Sequence, residues 1–285
     1  MHSTWVVVLF VILASSRPAH AEDPHVAAIR TLLGAQTKAW RNSDDKAFAA
    51  LLAPGALIDT NDYPRTDYVM QPPYGIRKFA ISASKIGWAG TWGWVAAEIK
   101  LTSQRYAEPA GMGDPNPKPE NETYHWIAMV VADGAAVKTK ALVVRKAIPD
   151  NYLVEYDVVQ NLLPVASPPA LVAVLQQPSV LASKLSSDPS TAALGSSPGE
   201  FALGPADAKK LAGRWAKLAL QVVDTPDKDS KVSYKPIELV IGDGAFVWAK
   251  VRMKLPGAKR WIELAGFAIA RRLGDGWELV VLGYG

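Results

Sequence analysis

The chain has 285 residues, 49% of them hydrophobic, a formal charge of +4 and no cysteine. That length supports two medium domains with cores of their own, and the missing cysteines exclude a disulfide scaffold, a lipid-anchored lipoprotein and thiolate metal sites. Charges of both signs are interspersed rather than blocked, so the concentrated basic face that nucleic-acid binding needs is not expected.

In chain order, Val6 to Ala14 is an apolar run too short to span a bilayer, and the small residues after it end in Ala19-His20-Ala21, an A-x-A cleavage pattern. Residues 1–21 therefore read as a signal peptide, although no Lys or Arg precedes the run and an uncleaved anchor is the alternative. The expectation is an exported protein, periplasmic or extracellular and bacterial. Its mature part has no membrane contact, because no later segment reaches spanning length.

Asp23-Pro24 opens a helix, with Asp as the cap and Pro at the first helical position, and Val26, Ile29, Leu33 and Trp40 form its apolar stripe. Asn42 to Asp45 re-caps a short helix carrying Phe48, Leu51 and Leu52 that stops at Pro54-Gly55. Ala56-Leu57-Ile58 reads as a strand and Gly75 to Phe79 as a third helix, with Ile76, Phe79, Ala80 and Ala83 on one side. Strands follow over Thr91–Ser103, Glu122–Ala132, Lys138–Ile148 and Tyr152–Val159, with a long loop from Glu108 to Glu120. Helices followed by a run of antiparallel strands indicate an α+β domain.

Pro164 to Pro169 reads as the linker, dividing a first domain (22–165) from a second (166–285). The second half repeats the order: short helices broken at Pro178, a strand at Ala192–Leu194, a turn at Gly195–Glu200, and a helix from Gly204 with Leu211, Trp215 and Leu218. Strands are expected at Ile237–Ile241, Ala245–Leu255, Trp261–Arg272 and Trp277–Tyr284. Two stretches, Ala141 to Val154 and Phe267 to Val280, share a strand, a basic pair (Arg145-Lys146, Arg271-Arg272), a turn and an aromatic residue opening the next strand. They point to a duplicated domain in which the two basic pairs occupy the same place on their sheets.

Ala39-Trp40, Ser43-Asp44, Ala47-Phe48 and Leu51 to Ala56 resemble the opening of the SnoaL-like proteins, within the nuclear transport factor 2-like superfamily that includes ketosteroid isomerase. The second half resembles a SnoaL-like subfamily through Leu194-Gly195-Ser196, Gly199-Glu200 and Gly204, and Gly274 to Val280 resembles the family's last hairpin. The resemblance implies two tandem cones, each a curved antiparallel sheet wrapped around helices and enclosing a pocket. The carboxylate, tyrosine and protonated acid that ketosteroid isomerase chemistry needs do not map onto either half, so no activity is carried over.

Past the signal peptide only His25 and His125 remain, so a His/Cys zinc site is not expected, and no cofactor is. Gly195-Ser196-Ser197-Pro198-Gly199 matches the spelling of a nucleophile elbow, but Pro198 lacks the N–H that would help to hold an oxyanion and no histidine follows. It reads as a turn. Alternation over Glu122–Val131 puts Tyr124, Trp126, Ala128 and Val130 on one face and His125, Ile127, Met129 and Val131 on the other. His125 is a candidate acid–base group, against a half-exposed histidine at a strand start. Glu98 is a candidate base in a cone, against a surface pair with Lys100.

The ten tryptophans fill cores before anything else. Trp40, Trp94, Tyr124 and Trp126 are the candidate walls of a site in the first cone, and replacing Trp94 or Trp126 is expected to weaken binding more than replacing Trp261 or Trp277. The leading reading is a non-catalytic binding or assembly module with an apolar pocket for a small hydrophobic molecule, with oligomers through sheet packing as an option. The alternatives are an acid–base enzyme (isomerase, cyclase or lyase) on such a molecule, and a structural protein that binds none.

Overall fold

A computed structural model describes residues 23–59, 64–66, 72, 75–104, 118–134, 136–147, 163–176, 192–194, 201–202, 209, 213, 215, 217–224, 235–254, 257 and 261–284. The leading segment 1–21, the strand expected at 152–159, the 195–200 turn with Ser197 and most of the helix after Gly204 lie outside them. Among the described residues no helix is long and apolar enough to cross a membrane.

Helix α1 (Pro24–Arg41) begins where the Asp23 carboxylate accepts the His25 N–H at 2.8 Å, and ends with Lys38 and Arg41 near its exposed carbonyls. Its stripe buries Ile29, Leu32, Leu33, Gln36 and Trp40. Ser43, at φ 52, turns the chain into α2 (Asp45–Ala50), whose cap Asp44 accepts the Ala47 N–H at 2.9 Å. α2 buries Phe48 against the same core.

After α2 come β1 (Leu52–Asp59), β2 (Pro64–Thr66), β3 (Lys78–Ala89), β4 (Trp92–Ser103), β5 (Glu120–Asp133), β6 (Ala136–Lys146), β7 (Leu163–Pro164) and β8 (Ala192–Leu194). The remainder are β9 (Phe201–Ala202), β10 (Ala219–Asp224), β11 (Ile237–Ile241), β12 (Gly244–Lys254), β13 (Ile262–Leu273) and β14 (Gly276–Tyr284). They form two separate sheets. The first is ordered β2-β1-β6-β5-β4-β3, the second β7-β10-β12-β13-β14-β8-β9 with β11 alongside β12. The chain is α+β and dominated by sheet.

Three expectations change. The third helix is the opening of β3, an edge strand whose register shifts between Ile81 and Ala83. Leu163–Pro164, within and beside the segment read as linker, is an edge strand pairing with β10 of the second sheet. Each sheet also contains a parallel pair, β1 with β6 and β8 with β14, so neither is purely antiparallel.

The duplication is written in the topology. β3–β4 and β11–β12 are joined by two-residue turns with a left-handed glycine first, Gly90 and Gly242 at φ 60 and 59. β5–β6 and β13–β14 turn the same way at Gly134 and Gly274. The bulge between Met129 and Val130 recurs between Ile269 and Ala270, four residues before the end of each strand. The parallel strand enters in the same register: Leu57, Ile58 and Asp59 lie opposite Ala141, Leu142 and Val143, as Ala192, Ala193 and Leu194 lie opposite Val281, Leu282 and Gly283. β6 is thus the counterpart of β14. Arg145-Lys146 therefore lies on β6 and Arg271-Arg272 on β13, which are not equivalent strands, so the two basic pairs do not share a place.

Strand alternation gives the first sheet two buried faces. Val95, Ala97, Ile99, Trp126, Ala128, Leu142 and Val144 pack with α1 and α2. Trp92, Trp94, Ala96, Ile127, Met129 and Val143 form one core with Phe246, Trp248, Phe267, Ile269 and Val281 of the second sheet. The far face of the second sheet packs on the 3-10 helix Val172–Gln176 and Trp215.

Candidate functional site

The core between α1 and the first sheet is filled by rings. Trp40 meets Trp126 at 5.8 Å, Tyr124 at 5.4 Å and Phe79 at 6.4 Å between centroids, and Phe48 meets Trp126 at 6.2 Å, all edge to face. The indole N–H groups of Trp40 and Trp126 are buried and donate to no acceptor among the described residues. In the second domain, by contrast, the buried Tyr284 hydroxyl donates to the Leu175 carbonyl at 2.7 Å beside the Trp215 ring.

Where the first interior nears the end of the sheet it turns polar. The Tyr124 hydroxyl donates to Glu122 Oε2 at 3.3 Å, and Lys146 Nζ pairs with Glu122 Oε1. Deeper in, Gln36 Nε2 donates to Thr139 Oγ1 at 2.9 Å. A groove of about 410 Å³, lined among others by Lys78, Phe79, Lys100, Asn121 and Glu122, opens at the same end of β3, β4 and β5. Phe79 belongs to both the groove and the ring cluster, and the Arg41 guanidinium lies 5.9 Å from its centroid. Period-two alternation through Tyr124 and Trp126 is the signal that could have pointed to Glu122, and the same period through Leu142 and Val144 leads to Lys146.

Burial pushes the ionisation of Tyr124 upward, aided by the Glu122 charge and the hydrogen bond to it, and burial alone pushes Tyr284 upward. Stability held by a neutral buried phenol is fully present below the ordinary tyrosine pKa of about 10 and is lost as pH rises toward the folded value. In an ultraviolet phenolate titration, at least two of the nine tyrosines should stay silent until the protein unfolds in alkali. Full ionisation while the fold persists would contradict this.

The other face carries a row of ionisable side chains. Glu98 lies opposite His125, and His125 opposite Arg145, in the registers of β4, β5 and β6. All three are buried, and Arg145 Nη2 reaches the fully buried Asp59 Oδ2 on β1 at 2.6 Å. Trp248 of the second domain donates its indole N–H to the same Asp59 oxygen at 3.0 Å. Glu98 accepts from Ser82 Oγ at 2.8 Å and pairs at 3.2 Å with Lys100, which is largely exposed. The turn and bulge positions give this row counterparts in the second domain: Lys250 for Glu98, Ala265 for His125 and Leu194 for Asp59. The sheet fold forms there without the same charges.

The first sheet thus divides the residues that the sequence grouped together. Trp40, Tyr124 and Trp126 meet on the helix side, whereas alternation carries Trp94, Glu98 and His125 to the side facing the second sheet. His125 is buried rather than half exposed, and the Glu98–Lys100 pair forms with its carboxylate covered. Asp59 and Arg145 joined the row unannounced, since each is far in sequence from its partner. Among the described residues no three His, Cys, Asp or Glu side chains are placed to hold a metal ion.

Two sheets, helices on the outer face of the first and a ring-filled core beneath them define the class: an α+β protein of two stacked sheets. No family model and no curated protein matches the chain. Among solved structures it is similar to a ketosteroid isomerase-like protein from Erwinia carotovora atroseptica SCRI1043 (13% identity, TM-score 0.33, 44% of this chain and 98% of that one). It is also similar to an NTF2-like protein of unknown function from Shewanella oneidensis MR-1 (14%, TM-score 0.28, 41% and 96%) and another from Shewanella baltica OS155 (14%, TM-score 0.29, 42% and 91%). Each likeness spans less than half of this chain.

Proposed function

We propose that this is an exported tandem SnoaL-like protein with two cone-shaped domains, whose first cone binds a small apolar molecule without transforming it. One observation carries the reading: two indole donors, on Trp40 and Trp126, are buried among rings with no acceptor among the described residues. A buried donor left unpaired costs about 1–3 kcal/mol, and such groups call for a water, an ion or a ligand. An apolar molecule with one carbonyl or ether oxygen would fill that need, entering by the groove past Phe79. The titratable groups at the mouth favour binding over turnover, because Glu122 is held by Lys146 and Tyr124 keeps its proton.

Native mass spectrometry of protein purified from its own host is expected to show a retained small molecule, and Trp40→Phe with Trp126→Phe to lose it while the fold survives. Empty protein, together with no displacement of a solvatochromic ketone probe, would sink the binding reading. Amino-terminal sequencing of the exported protein is expected to begin at Glu22; a mature chain that keeps Trp5 would refute cleavage.

The rival reading, acid–base catalysis, draws on the row Glu98-His125-Arg145-Asp59. The second domain builds the same strands without those charges, so the architecture does not demand them. His125→Ala leaving every ligand-dependent activity intact would remove that reading.

A further inference from the structure

The contact between the two sheets places one position against its own counterpart. Trp92 and Gly244 each open the second strand of a hairpin, directly after the turns Gly90-Thr91 and Gly242-Asp243. They face each other: a methyl group on Gly244 would run into the Trp92 ring, and one on Gly242 would stand 3.2 Å from Thr91 Oγ1. The Trp92 indole N–H donates to Asp243 Oδ1 at 2.6 Å. A position meeting its own counterpart is what an approximate two-fold arrangement produces. On a true two-fold, however, the same residue would stand on both sides.

We infer that the Trp92/Gly244 pair, with Asp243 as acceptor, makes each sheet face fit the other half of the chain and refuse a copy of itself. Two first halves would bring two indoles into a space for one. Two second halves would face glycine with glycine, leaving the slot empty and Asp243 without its donor. Specificity rests on the mismatched alternatives as much as on the favoured pair. The occupant of each face is therefore the other domain of this protein, and the duplicated halves are a committed pair rather than interchangeable units.

The test moves the ring across the contact in the full-length protein. Trp92→Gly alone is expected to lower Tm by about 10 °C, and Gly244→Trp alone by a similar amount through overpacking. The exchange variant W92G/G244W should recover at least half of the summed loss, and adding T91D and D243T, which moves the acceptor too, should recover more. An exchange variant no more stable than the worse single variant overturns the inference. Should G244W fail to fold, Gly244→Ala serves in its place. It is expected to lower Tm beside Trp92 and to be harmless in the W92G background. An equal loss in both backgrounds overturns the inference as well.

Discussion

Asp59→Ala is expected to lower Tm by about 10 °C, the size of a broken buried ion pair in a chain of this length. Asp59 is fully buried and serves two donors at once, Arg145 from its own sheet and Trp248 from the other. Removing it breaks the 2.6 Å ion pair of a buried guanidinium and the 3.0 Å hydrogen bond from the Trp248 indole. The second sheet carries a leucine, Leu194, at the matching register position. The double variant D59L/R145M should accordingly lie much closer to the parent protein than either single one. A thermal shift of less than about 2 °C for Asp59→Ala would show the pair to be incidental.

Trp126→Ala should cost about 3–5 kcal/mol, the range for emptying a large aromatic site in a core. Trp126 is fully buried and holds Trp40 and Phe48 edge-on. No small shift of α1 can refill that volume, because α1 also packs through Ile29 and Leu33. Trp277→Ala, at a half-buried position on the outer margin of the second core, should cost less than half as much. Urea unfolding with matched m-values checks both, and equal losses would show that the ring cluster is not the keystone of the first domain.

Local chemistry was legible in the sequence where one period dominated. α1 follows from a capping Asp, a helical-position Pro and an unbroken stripe. β11, β12, β13 and β14 fall within a residue or so of their expected ends, because glycine turns punctuate clean apolar runs. β3 was hidden because Ile76, Phe79, Ala80 and Ala83 mimic helical spacing and the register shift after Ile81 breaks the strand period. The basic pairs suggested the right duplication on the wrong strands. The left-handed turn glycines Gly90, Gly134, Gly242 and Gly274 carry the correct alignment. For the site, alternation separated Tyr124 and Trp126 from His125, but it could not tell which face meets α1. Nor could it bring Asp59 to Arg145, 86 residues away.

The seam between the sheets also sets a timetable. Its two indole–carboxylate bonds join residues 151 and 189 positions apart. While the chain is being made, Trp92, Trp94, Ile127, Met129 and Val143 are complete long before β12 to β14 exist to cover them. At about 5–20 residues per second, that greasy face waits on the order of ten seconds for its mate. Chaperones during synthesis, or passage across a membrane before folding, would shield it for that interval. A ribosome that stalls after β6 would release a fragment with a ready-made adhesive surface.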